Sequence, residues 1–213
     1  MQKVLLMGAS RGIGLAACEA LLAHDHAVRA FARSADDMSL AHPALEKVKG
    51  DACSEADVRS ALDGVDAVVQ CLGVPFNLQL FTGPITLFSS ATRVLIPTMQ
   101  AAGVKRLVAV TGFGAGDCLS AIHPLQRLGF NLVFGRAYAD KSVQEKLIKD
   151  SGLDWTIARP GVLTNGARRS DYRVLVEPET WQNGIIARAS VADFLVTSLD
   201  NKDYFGAAPV LIN

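Results

Sequence analysis

Cysteine is scarce and scattered in this chain. The four are Cys18, Cys53, Cys71 and Cys118, with no CxxC spacing and no cluster with histidine. That pattern argues against a thiolate metal site or a disulfide framework and fits a reducing compartment. Net charge is missing as well: 21 lysines and arginines balance 21 aspartates and glutamates, so there is no basic footprint for nucleic acid or for an anionic membrane surface. Long apolar runs are also lacking. No stretch approaches the roughly 20 residues of a membrane span, and the opening MQKVLLMGAS meets glycine too soon for a signal peptide. The expectation is a soluble cytoplasmic protein, monomer or homodimer, that acts on a small molecule without a metal, a nucleic acid or a membrane.

What is present is a repeated alternation of short apolar runs and helical patterns. At 213 residues the chain can bury a full core as one domain. KVLLM (3–7), AVRAFAR (27–33), LEKVKGD (45–51), DAVVQCL (66–72), RLVAVT (106–111), WTIARP (155–160) and the terminal PVLIN read as about seven strands. Helical spacing marks 12–24, 55–62, 88–102, 131–150 and 191–199, with Ser190 as a helix cap. Apolar strands separated by helices define an α/β class with a doubly wound, mostly parallel sheet. The irregular spans 73–87, 112–130 and 161–185 all follow strand ends, where such a sheet binds its ligands.

LLMGASRGIGLAA sets Gly8, Gly12 and Gly14 between the first strand and the first helix. The first glycine permits the tight turn, the second lets backbone approach a pyrophosphate, and the third lets the helix lie close to the strand. Free N–H groups and the helix dipole then hold phosphate. The loop Gly8, Ala9, Ser10, Arg11, Gly12, Ile13 and Gly14 is therefore the expected cofactor cradle. An NAD site usually ends its second strand on an acidic residue. Here that strand ends in Arg33, with Asp36 and Asp37 a few residues too late, and Arg33 together with Arg11 suits the 2′-phosphate of NADP(H).

GASRGIG, the GD at 50–51, the CLG at 71–73, Lys141 and SGLDWTIARPG (151–161) together resemble the short-chain dehydrogenase/reductase superfamily. More narrowly they resemble its atypical NAD(P)-binding branch, which includes NmrA-like proteins and the biliverdin reductase B/flavin reductase type. The resemblance spans nearly the whole chain and implies one Rossmann-like NAD(P)-binding domain over 1–213, whose segment from about 161 to 213 shapes the substrate pocket. It places Asp51 and Ala52 at the adenine and Cys71, Leu72 and Gly73 along the adenosine ribose. It sets Thr111 beside the nicotinamide as a catalytic candidate. Lys141 binds the nicotinamide ribose and is the second such candidate, and Pro160, Gly161 and Val162 brace the carboxamide.

The catalytic tyrosine of that superfamily lies four residues before its lysine, and here that position is Ala137. Tyr138 is one residue out of register. Side chains one residue apart on a helix differ by about 100°, which moves the hydroxyl by on the order of 8 Å, beyond proton-transfer reach. Unless a one-residue bulge restores the phase, Tyr138 belongs at the pocket rim or on the helix surface. Hydride transfer to a flavin, a quinone or another conjugated acceptor survives that loss better than carbonyl reduction, which leaves a localised alkoxide. In the 112–130 span, Phe113, Leu125, Leu128 and Phe130 suit a lid over a flat substrate or a minor core, and His123 is a second proton donor to consider. Two functions remain open: an NADPH-dependent reductase of a small conjugated or carbonyl substrate, and a non-catalytic NADP(H) sensor.

Overall fold

The computed structural model describes residues 1–74, 85–122 and 124–213, with the backbone alone over 124–133. In chain order it holds β1 (Lys3–Met7), α1 (Gly12–Ala23), β2 (Ala27–Ala32), β3 (Leu45–Lys49), α2 (Glu55–Ala61), β4 (Ala67–Gln70) and α3 (Leu87–Ala102). The second half carries β5 (Arg106–Val110), a 3₁₀ turn (Gly116–Ala121), α4 (Pro124–Lys149), β6 (Asp154–Pro160), β7 (Val162–Thr164) and β8 (Arg173–Leu175). It ends with β9 (Ile185–Ala187), α5 (Arg188–Thr197) and β10 (Val210–Ile212).

An eight-stranded sheet runs in the order β3-β2-β1-β4-β5-β6-β10-β8, and β7 pairs with β9 in a separate two-stranded sheet. All pairs in the large sheet are parallel except β10 with β8. The seven strands read from sequence are those from β3 to β10. The eighth, β8, and the β7–β9 pair are three residues each, too short for a period-2 signal to register.

The strands β1, β4 and β5 carry buried residues almost throughout because both faces are covered. One face packs on α1 and α5 through Ala17, Leu21, Val191 and Leu195. The other packs on α2 and α3 through Val58, Leu95 and Met99, with Ile148 of α4 beside them. Buried polar bonds fix α3 and α4 to the sheet: Gln70 Nε2 donates to Thr92 Oγ1 at 3.2 Å, and Gln144 Nε2 to Gln70 Oε1 at 2.8 Å.

Two helices differ from the sequence reading. The long helix α4 starts at Pro124, within the span read as irregular, and continues as unbroken α-helix to Lys149, so no bulge re-phases it. Proline at a helix start has no N–H to satisfy, and this favours the early beginning. The last helix starts at Arg188, which puts Ser190 inside its first turn rather than at its cap. Ser190 Oγ instead accepts from the Arg169 backbone N–H at 2.9 Å and ties the 165–172 loop to α5.

Candidate functional site

A cleft of about 670 Å³ opens at the carboxyl ends of β1, β2, β4, β5 and β6. That volume lies within the range of small-molecule and cofactor pockets. The glycine loop forms its floor. Gly8 and Gly12 adopt φ of +83° and +61°, values that side chains other than glycine rarely take. A Cβ on Gly14 would stand 2.0 Å from the Gly8 carbonyl oxygen, so the close contact of α1 with the strand end depends on that glycine. Gly12 is different. A Cβ there would meet nothing nearer than Arg188 Nε at 4.0 Å, so open space lies above its backbone.

Gly8, Ser10, Arg11, Gly12 and Ile13 line the cleft, as do Arg33, Asp51, Ala52, Cys71, Leu72 and Gly73. Thr111, Lys141, Pro160 and Gly161 line it too. Ala9 is fully buried beneath the loop, and Gly14 is spent on the helix–strand contact. Val162 is not part of the lining. Side chains alternate along β7, so Val162 is 57 % exposed to solvent while Leu163 faces the cleft. Ser34 Oγ donates to Ser10 Oγ at 3.0 Å and joins the end of β2 to the glycine loop beside Arg33. Asp36 and Asp37 turn away in a short 3₁₀ segment and do not line the cleft. Asp51 Oδ1 accepts from the Cys53 N–H at 3.0 Å, and the Asp51 N–H donates to Asp57 Oδ2 at 2.8 Å, which fixes this turn. Burial pushes the Cys71 thiol up to about 12, so it remains a small protonated wall residue.

At the far end of the cleft, Lys141 Nζ donates to the Thr111 carbonyl at 2.5 Å. The ammonium sits 5.1 Å from the Phe88 ring centroid and 5.2 Å from that of Tyr138. Desolvation lowers the Lys141 pKa to about 8, with the charge of Glu145 opposing the shift. Thr111 is buried, and its hydroxyl donates to Glu145 Oε1 at 2.7 Å. Glu145 in turn accepts from Arg159 Nε at 3.0 Å and from Arg159 Nη2 at 2.5 Å. A carboxylate in that ion pair can only accept, so the Thr111 proton is committed to it and Thr111 offers the cleft lone pairs. Asp117 gives Arg159 a second carboxylate partner. On the same helix Asp140 accepts from the Phe88 and Ser89 N–H groups at 2.8 and 3.2 Å, capping α3 where it reaches the cleft.

Tyr138 lines the cleft, and Ala137 does not. Ala137 is buried against Phe88 in a small cluster at the α3–α4 contact. Its small side chain lets the helices approach there and turns the next residue toward the cleft. The Tyr138 hydroxyl lies against Gly112, where a Cβ would come within 2.6 Å of it. Burial pushes the phenol up to about 12. Tyr138 and Lys141 are thus neighbours one helical turn apart. Phe113 joins Cys118, Ile122, Val210 and Ile212 in a minor core rather than covering the cleft. His123 lies outside the described residues, as do the side chains of Leu125, Leu128 and Phe130. Sequence reasoning gave no cofactor role to Arg188 or Leu163, which line the cleft from the C-terminal segment. Leu163 lies in β7 and Arg188 directly follows β9, and that short strand pair carries no recognisable pattern.

A parallel sheet with a glycine loop at its first strand end, facing a cleft across all its central strands, defines a Rossmann-type dinucleotide-binding protein. The chain belongs to the NAD(P)H-binding family, whose model matches residues 8–202. An uncharacterised chloroplastic protein of Arabidopsis thaliana is 31 % identical over 209 residues, covering 93 % of this chain and 72 % of its own. The solved structure of ChuY, an anaerobillin reductase from Escherichia coli O157:H7, is 26 % identical, with a TM-score of 0.78 over 99 % of this chain and 96 % of its own. A short-chain dehydrogenase/reductase of Veillonella parvula, solved in complex with NADP, shares the fold at 15 % identity, with a TM-score of 0.79 over 100 % of this chain and 94 % of its own. Among the described residues no helix is long and apolar enough to cross a membrane, and no cluster of side chains could hold a metal ion.

Proposed function

We propose that this chain is an NADPH-dependent reductase that delivers hydride to a small conjugated or carbonyl acceptor such as a flavin or a quinone. The observation that carries this reading is the half-buried ammonium of Lys141 at the strand-end side of the cleft, held on the Thr111 carbonyl and drawn down to about 8. A desolvated, titratable lysine in a cleft marks a site of chemistry more than a site of binding alone. The NAD(P)H-binding family match supports reduced nicotinamide as the hydride source.

The residues of this chain then divide the work. Gly8 to Ile13 offer backbone N–H groups to phosphate. Arg33 and Arg11 face the 2′-phosphate and set the preference for NADPH. Lys141 binds the ribose and places a positive charge where the reduced acceptor gathers negative charge. Thr111 accepts a hydrogen bond from the carboxamide, because its own proton is held by Glu145. Tyr138 forms a wall of the acceptor slot. The charge on a flavin or quinone spreads over the ring, so a wall there suffices and solvent supplies the proton.

NADPH is expected to bind at least tenfold tighter than NADH, with Arg33→Ala removing most of the difference; fluorescence titration with each nucleotide reads this. Following NADPH oxidation with flavins, quinones and aldehydes tests the reaction, with a measurable rate for the first two classes and a much weaker one for simple aldehydes. Tight NADPH binding with no oxidation by any of the three would favour a sensor instead. Tyr138→Phe should leave turnover within about threefold; a loss of about 10²–10⁴-fold would make Tyr138 the acid.

A further inference from the structure

The space above Gly12 is faced by a guanidinium from the far end of the chain. Arg188 opens α5, lines the cleft, and brings Nε to 4.0 Å from where a Cβ on Gly12 would stand. Its Nη1 donates to Asn165 Oδ1 at 2.6 Å, so a residue just beyond β7 fixes the plane of the fork. Among the described residues no carboxylate pairs with Arg188, although Arg29, Arg59, Arg159, Arg168 and Arg169 each have one. Nε and Nη2 carry no hydrogen bond among those residues either. An unneutralised, half-buried guanidinium held at a fixed angle over backbone N–H groups makes two walls around a site for an anion.

We propose that Arg188 grips the pyrophosphate of the dinucleotide from the side opposite the glycine loop. This rests on the NADP(H) reading above. The placement over Gly12 separates Arg188 from Arg33 by task. Arg33 stands at the end of β2 beside Ser34 and Ser10, so its partner is the 2′-phosphate that only NADPH carries. Arg188 stands over the start of α1, so its partner is the pyrophosphate that NADPH and NADH share. The reacting end, at Thr111 and Lys141, lies beyond it, so a carboxylate on the acceptor is not its partner. Arg188 also belongs to the C-terminal segment, and its contact links that segment to the glycine loop once the cofactor is bound.

Calorimetric titration of NADPH, NADH and adenosine 2′-monophosphate into wild type, Arg188→Ala, Arg188→Lys and Arg33→Ala tests the assignment. Arg188→Ala should weaken both dinucleotides by a similar factor, about ten- to hundredfold, as expected for a lost charge-assisted bond. Adenosine 2′-monophosphate should bind Arg188→Ala as it binds wild type and should lose affinity in Arg33→Ala. Arg188→Lys should recover part of the loss, since it keeps the charge without the fork. If Arg188→Ala melts too low to titrate, Asn165→Ala takes its place, with an expected loss of about threefold for both dinucleotides from a less ordered guanidinium. Unchanged dinucleotide affinity would overturn the proposal, as would a loss confined to NADPH or an effect only on the KM of an acidic acceptor. If wild type binds neither dinucleotide, the cofactor reading falls and this proposal falls with it.

Discussion

Arg106 and Arg159 are both buried in the large sheet, on the neighbouring strands β5 and β6, but at opposite ends of it. Among the described residues no carboxylate forms an ion pair with Arg106. Its N–H groups go to the carbonyls of Ser198, Leu199, Leu107 and Asp154 and to Thr156 Oγ1, and its guanidinium lies 4.2 Å over the Phe205 ring. Burial lowers its pKa to about 10. Arg159 is fully buried, yet burial is more than offset by the hydrogen bonds and charge of Glu145 and then Asp117, so its pKa is held above the usual arginine value. The same residue type closes off the end of α5 at the amino end of the strands and supports the cleft at their carboxyl end. Ligands meet such sheets at the carboxyl ends of their strands, and that is where the carboxylates collect.

The largest expected effect comes from breaking the upper arrangement. Arg159→Leu leaves Glu145 buried without its cation and should cost about 3–5 kcal/mol in urea unfolding, while Arg159→Leu with Glu145→Leu should recover much of that. Arg106→Leu should cost less, about 1–3 kcal/mol, because it leaves carbonyl groups rather than a charge unsatisfied. It should also leave NADPH affinity within twofold of wild type by titration, since nothing at that end reaches the cleft. The finest distinction is a pH effect. Lys141 titrates near 8 when folded and near 10.5 when unfolded, so between those values the unfolded chain holds more protons and stability should rise with pH. Lys141→Met should lack that rise in unfolding experiments. Glu145→Gln removes the charge that favours the ammonium, so the Lys141 Cε resonance should titrate below 8 in NMR, whereas Arg106→Leu should leave its midpoint in place.

The seven strands of the parallel sheet and the glycine loop were legible because both rest on local patterns. Apolar runs such as KVLLM are buried from both sides, and Gly8, Gly12 and Gly14 answer to backbone geometry within one turn. What escaped was set by tertiary packing. Whether Ala137 or Tyr138 faces the cleft depends on how α4 rolls against Phe88, and a helical period gives only the angle between them. Nothing local in WTIARP marks Arg159 as a support of the cleft, because its partners are 14 and 42 residues away in sequence. Arg188 opens α5 directly after the three-residue β9, where no motif marks a functional arginine.

Both margins of the large sheet are short and charged. β3 exposes Glu46, Lys47 and Lys49, and β8 is three residues long with Arg173 exposed. A neighbouring chain that tried to extend the ladder would bring its own lysines against these, with few backbone groups to gain. Lateral growth into a continuous intermolecular sheet is thereby discouraged at either side.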